Sequence, residues 1–514
     1  MQKKIFDIFS AIFERARILV AGRAITVVSS LLFILIVAVF IRSLSDGTPA
    51  GLQSSLLELL PEPDAGASVI VISALKGEFP RGAARLFADT PSVRHGVSGM
   101  TLFMPIFGSA DAMALLIAEY DERFSVCGVF VPALEEYDAL NAGELPAGWK
   151  RNFEEAKLRS AGRKGVYRLS AGNLSEPLYI AAIDDLVFVA GSRGGIERIM
   201  AVNDGAAAGI GKKWAVEPQW GGHVYLSDGG LIFQAVNGAS DSRSDGNVLE
   251  IEAAWVTSGD ARASRAKWEI SGAENIMNHA FLNDLRPRDW KDIDIFMPDP
   301  LVLSFGINLP NPGRTMPSLP GPLKYAAEQM RKMGMRTSEI QNILTGRSVF
   351  SLGGRTQLLW FDLPGIVADM ADRGEASFSL IDKFWSELFI GAEPTPVEGF
   401  SRGGMTNLPF TIFAASNGEK AVIGLVPPDS EQNFEAKDLV ASASSAIAWA
   451  YVDFPMLGAS LAEVPALNSM IYEEGEEGPL DEESADNLKN VMSSLGRMFI
   501  TLESATSGSA ICYY

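Results

Sequence analysis

Three short stretches of this chain place reactive side chains at spacings that known chemistry uses. Gly399-Phe400-Ser401-Arg402-Gly403 fits G-x-S-x-G, where a serine on a tight strand-to-helix turn attacks a carbonyl and a downstream histidine is the base. Here strand-forming residues follow the serine, and His95, His223 and His279 all lie upstream, so a hydrolase would lack its base. Ser73-Ala74-Leu75-Lys76 fits S-x-x-K, but Ser73 ends an apolar run and no K-T-G segment occurs. Gly205 to Lys213 (GAAAGIGKK) approaches a phosphate loop, yet the spacing is one residue too long and Lys213 stands where Ser or Thr would hold magnesium.

Metal chemistry fares no better. Asp241-Ser-Arg-Ser-Asp245-Gly246-Asn247 with Glu252 has the outline of a calcium loop, but Arg243 occupies a ligand position and no helices flank it, which leaves a polar hairpin turn. Two cysteines and three scattered histidines cannot complete a zinc site without carboxylates, and H-E-x-x-H is missing. Cys127 and Cys512 each sit in an apolar run and read either as a disulfide pair or as two buried thiols. With 63 acidic residues any carboxylate pair could be nominated for glycosidase chemistry, so none is singled out. No residue is therefore assigned a catalytic, cofactor-binding or metal-binding role, and the expectation is a protein that is not an enzyme and carries no cofactor.

The elements that position the chain begin with Ala24 to Ile41 (AITVVSSLLFILIVAVFI), an uncharged run long enough to cross a bilayer as a helix. Lys3, Lys4, Arg15, Arg17 and Arg23 precede it, whereas Asp46, Glu58, Glu62 and Asp64 follow, which by the positive-inside bias predicts a cytoplasmic N-terminus. Residues 1–23 read as a cytoplasmic amphipathic segment, with Ile5, Ile8, Phe9, Ile12 and Phe13 at helical spacings, and 24–41 as a transmembrane helix that makes the lipid bilayer a partner. Residues 42–66 read as a stalk. A cleaved signal peptide ending near Ser43-Leu44-Ser45 is the competing reading. The predicted location is thus the inner (plasma) membrane, single-pass with a signal-anchor, and the bulk of the chain in the periplasm or equivalent cell envelope space.

The 514 residues are 47% hydrophobic with 9% aromatics, a globular composition with room for two or three domains. The net charge of −20 repels phosphate backbones, so nucleic acid is excluded as a partner and a basic or neutral protein is favoured.

Beyond residue 66 the spacing predicts an α+β fold of mainly antiparallel sheet plus helices, in two tandem copies, 67–275 and 290–514. Helices are expected at 79–89, 109–120 and 148–159, and strands at 68–74, 124–132, 165–169 and 186–190, the last closing a hairpin over Asp184-Asp185. A similar order recurs after the break, where EPLYIAAIDDLVFV runs parallel in pattern to NLPFTIFAASNGEKAVIGLV. Chance likeness of generic strand and helix patterns is the alternative. The second copy is longer by a stretch containing EEGEEGPLDEES (473–484), which reads as a solvated loop, a docking site for a basic partner or a weak calcium site. The function expected is binding: a structural or assembly partner of another envelope component, with a binder of a small or apolar ligand as the alternative and an unrecognised hydrolase as the distant one.

Overall fold

Nine residues from Ala112 to Tyr120, AMALLIAEY, are apolar at nearly every position, and in the computed structural model they form a strand with both faces buried. The structure describes most of residues 52–513. Residues 1–51, 64–68, 76–103, 211–219, 229–248, 258–262, 272–284, 314–320, 390–392 and 463–488, with some shorter gaps, lie outside the description. The chain folds as two compact units, Met1–Asn275 and Ile276–Tyr514.

In the first unit the described elements are α1 (Leu52–Leu57), β1 (Val69–Leu75), α2 (Met104–Phe107), β2 (Ala112–Tyr120), β3 (Arg123–Phe130), α3 (Leu134–Asn141), β4 (Lys157–Ser160), β5 (Val166–Ser170), β6 (Leu178–Ile183), β7 (Leu186–Ala190), α4 (Arg193–Asn203), β8 (Gly222–Asp228), β9 (Leu249–Thr257) and β10 (Ala263–Ser271). All strand pairs are antiparallel, in the order β4-β5-β6-β7-β3-β2-β1-β8-β9-β10.

The β6–β7 hairpin turns on Asp184 and Asp185, both at positive φ (50° and 62°), a conformation short polar side chains tolerate. Helix α4 starts because Ser192 Oγ accepts from Gly195 N at 3.0 Å, and it stays because Ile196, Ile199 and Met200 fall on one buried stripe. One sheet face packs with α3, Trp149 and Phe107, and the other with α1 and α4. At the β4 margin, Lys157, Arg159 and Ser160 are exposed.

The second unit contains β11 (Leu301–Leu309), α5 (Gly321–Lys332), α6 (Thr337–Leu344), β12 (Gly346–Leu358), β13 (Phe361–Met370), α7 (Ala376–Lys383), β14 (Arg402–Asn407), β15 (Thr411–Ser416), β16 (Ala421–Gly424), α8 (Phe434–Ser442), β17 (Ala448–Asp453), α9 (Phe454–Ala462), β18 (Arg497–Leu502) and β19 (Ser507–Tyr513). Its strands are again all antiparallel, in the order β14-β15-β16-β13-β12-β11-β17-β18-β19. With β4 set aside this is the first unit's order, strand for strand.

The helices keep their sides as well. The one after the third strand (α3, α7) packs on one face, and the one before the strand that flanks the first (α4, α8) packs on the other. At the β14 margin, Thr395 and Met405 exchange backbone hydrogen bonds of 2.8 and 3.0 Å, so that rim is capped.

Two expectations are corrected. In place of the expected α+β fold of sheet plus helices, the described residues are mostly antiparallel sheet with few helices, 42% strand against 26% helix. The segment 109–120 expected as helix is β2, because a short apolar run buried on both faces shows no period that separates helix from strand. Residues 148–159 form a 3₁₀ turn, Trp149–Arg151, and then β4; the expected helix at 79–89 lies outside the described residues.

The second correction concerns the membrane. Among the described residues no helix is long and apolar enough to cross a bilayer, which counts against the expected transmembrane helix, signal-anchor and single-pass inner-membrane placement. Residues 24–41, the amphipathic segment 1–23 and most of the expected stalk lie outside the described residues. An uncharged run meets a hydropathy criterion through composition alone, whereas spanning also requires those residues to form one continuous helix.

Candidate functional site

The structure separates the motif residues from the chemistry their spacing suggested. Ser401 immediately precedes β14, its backbone N donates to Ser416 O at 3.0 Å, and its hydroxyl donates to the same oxygen at 3.5 Å. Gly403 has φ +74°, and a Cβ there would lie 2.2 Å from Ala414 O and 2.5 Å from Ile381 Cγ2. That glycine answers a backbone and packing demand, so this G-x-S-x-G is not an elbow. His95 and His279 lie outside the described residues, and His223 belongs to the first unit.

Gly205 follows the C-cap of α4 at φ +71°, with the helix before it and not after it, the reverse of a phosphate loop; Lys212 and Lys213 lie outside the described residues. Of the calcium-like stretch only Glu252 is described, on β9. The acidic segment 473–484 is likewise outside. Cys127 and Cys512 are both buried thiols, Cys127 Sγ reaching Gly195 O at 3.9 Å, and burial pushes the Cys512 thiol up to about 12. No group of His, Cys, Asp and Glu that could hold a metal ion occurs among the described residues.

One constellation was not visible in the spacing. Ser73 on β1 stands opposite His223 on β8, and His223 Nε2 lies 2.9 Å from Glu252 Oε1 on β9, so serine, histidine and carboxylate occupy three neighbouring strands. Tyr225 OH donates to Glu250 Oε1 at 2.5 Å beside them. Ser73 Oγ and His223 Nδ1 are buried and neither has a hydrogen-bond partner, so the serine and histidine do not form a nucleophile–base pair. Ser73 is fully shielded, which bars a substrate from it. Only strand register, which the sequence does not print, brings these residues together.

The second unit holds a charged network on one sheet face. Asp369 on β13 is buried beneath Phe296, whose N donates to Oδ2 at 2.9 Å, while Oδ1 has no partner. Burial pushes this carboxyl up, against the pull of Lys420, whose Nζ is 3.7 Å away. Lys420 Nζ also donates to Asp294 Oδ2 at 3.1 Å, and Lys437 Nζ lies 3.6 Å from Asp294 Oδ1. Burial works against ionisation of Asp294, but the two lysines hold it below its usual value. Arg347 grips Asp372 with two hydrogen bonds of 2.6 and 2.9 Å and lowers it, while burial presses Arg373 down to about 10.

The other face of this sheet is partly uncovered. Side chains alternate along a strand, so Phe305 and Ile307 on β11, Phe350 on β12, and Ile366 and Met370 on β13 share one side. Helices α6 and α7 cover the Ile307 and Met370 end, with Ile340, Ile343, Leu380, Ile381 and Trp385 in that core. The middle is open: Phe305 is 42% exposed, Phe350 36% and Ile366 56%, and the two rings stack with centroids 5.0 Å apart.

The matching face of the first unit is closed. Its central residues Ile72 and Leu115 are at most 2% exposed, and Phe107 of α2 comes so close that a Cβ on Gly128 would sit 3.0 Å from its ring. The same strand order thus carries a filled face in one unit and an open apolar platform in the other.

No protein-family model and no curated protein matches the chain. Among solved structures it is similar to crystal form I of TP0453, with a TM-score of 0.26 and 8% identity, covering 44% of this chain and 80% of that one; a likeness this small carries no argument.

Proposed function

We propose that this protein is not an enzyme but acts by binding, as a structural or assembly partner of another protein, and that the contact is made by the open sheet face of the second unit. The observation that supports this is the platform of Phe305, Phe350 and Ile366, three large apolar side chains left together in water. Burying apolar surface returns about 25 cal/mol per Å², so covering such a face is favourable while exposing it is not. The partner's contact is apolar, and its surroundings are neutral or basic, because a chain of net charge −20 repels acidic surfaces.

A photo-crosslinking residue at position 366 tests this, with Leu134 as control, since Leu134 is 75% exposed but belongs to the first unit. The expected outcome is one discrete protein adduct from position 366, lost in the Phe305→Ser/Phe350→Ser double variant and not seen from position 134. Ile366→Asp should leave the unfolding free energy within about 0.5 kcal/mol of wild type, as for exposed sites generally, and yet abolish the adduct. Equal adducts from both positions, or none from 366, overturn the reading.

A further inference from the structure

A second feature, on the opposite face of the second unit, is independent of that platform. In the first unit the connection from α4 to β8 runs from Asp204 to Gly221, and its Ile210 N donates to Leu60 O at 2.8 Å and buries the Ile210 side chain in the core of that face. In the second unit the corresponding connection, from α8 to β17, is only Ala443 to Ile447. Within it Ala446 is buried and its N donates to Arg288 O at 3.3 Å, and a cleft of about 370 Å³ opens between the C-terminal end of α8 and strands β18 and β19.

The cleft's walls have a definite chemistry. Phe499 and Ile511, opposite each other in the β18–β19 register, form an apolar floor, with Ala443 and Ala446 beside them. Ser442, Ser445, Thr501 and Ser509 supply hydroxyls, and Thr501 Oγ1 and Ser509 Oγ are 2.7 Å apart, so each keeps oxygen lone pairs for a third group. Glu503 contributes a carboxylate, and no Lys, Arg or His is among the described lining residues. Helix α8 points its C-terminal end at the same place, and that end carries partial negative charge. The volume falls in the range of small-molecule sites.

We propose that this cleft binds a small aliphatic amine in its ammonium form. The ammonium donates to the Glu503 carboxylate and to the hydroxyl oxygens, and the hydrocarbon part lies on Phe499 and Ile511. Anionic ligands are excluded by the same carboxylate and helix end.

Calorimetric titration of the full chain with cadaverine tests this, alongside glucose and pentanoate as neutral and anionic probes, with circular dichroism confirming that each variant is folded. The expected result is one saturable cadaverine site, weakened about tenfold or more by Glu503→Gln, the usual effect of losing one charge-assisted hydrogen bond. Ser442→Trp, at an exposed position on the rim, should abolish it by filling the space, and Ile366→Asp should not change it. Cadaverine binding that neither cleft variant alters would be diffuse attraction to an acidic chain and overturns the proposal, as does no binding, or preferred binding of glucose or pentanoate.

Discussion

Asp369 is a carboxyl group whose neighbours pull in opposite directions, and burial prevails over Lys420. A carboxyl raised in the fold contributes stability that is present below its unfolded pKa and is lost as pH rises through the folded one. Asp372, held low by Arg347, behaves oppositely: its contribution is present above the unfolded pKa and is lost as pH falls through the folded value. Asp369→Asn keeps the acceptor for Phe296 N but cannot ionise. Its thermal midpoint relative to wild type should therefore rise as the pH is taken from about 4 to about 8, spanning the ordinary carboxylate range and beyond. A difference that shrinks with rising pH would show that Lys420 prevails after all. The sequence shows none of this, because Asp369 in VADM looks like any strand-end acid until Phe296 is seen lying over it.

At the scale of elements, close approaches between aromatic rings and glycines fix several strand positions. A Cβ on Gly306 of β11 would lie 2.4 Å from the Trp449 indole, which also stacks edge-on with Trp290 at 5.7 Å. Gly306→Ala should cost about 1–3 kcal/mol by overpacking, read as a lower denaturant midpoint with an unchanged slope. A neutral outcome would mean that the tryptophan can move aside.

Legibility in the sequence followed the locality of the signal. The β6–β7 hairpin could be read because two aspartates between alternating apolar runs encode their own turn. Strand β2 could not, since a run buried on both faces has no polar side to betray its period. The open platform was equally hidden. Phe305 and Phe350 look like core residues in a strand pattern, and their exposure follows from where α6 and α7 settle, a tertiary fact. The candidate cleft was hidden as well, because Ser442, Thr501, Glu503 and Ser509 meet only through the packing of α8 against β18 and β19.

On the scale of the whole molecule, charge and repetition set the terms. With Lys and Arg at 43 against 63 acidic residues, the chain should not retard duplex DNA or RNA in a gel at about 50 mM salt, where electrostatic binding is strongest. A shift there would require a basic patch that outweighs the net charge. Repetition matters more for function. The two units share one strand order but differ in what covers them, so one face of the second unit is open while its counterpart is filled.

The rims described for β4 and β14 carry a consequence for handling and for life in a crowded compartment. Sheets grow sideways by recruiting unpaired backbone, and here Lys157 and Arg159 repel a newcomer at the β4 border of the first unit while Thr395 already occupies the β14 border of the second. Concentrated samples should therefore stay free of ribbon-like fibrils seeded at these borders, and Lys157→Val/Arg159→Val would be the change that invites them.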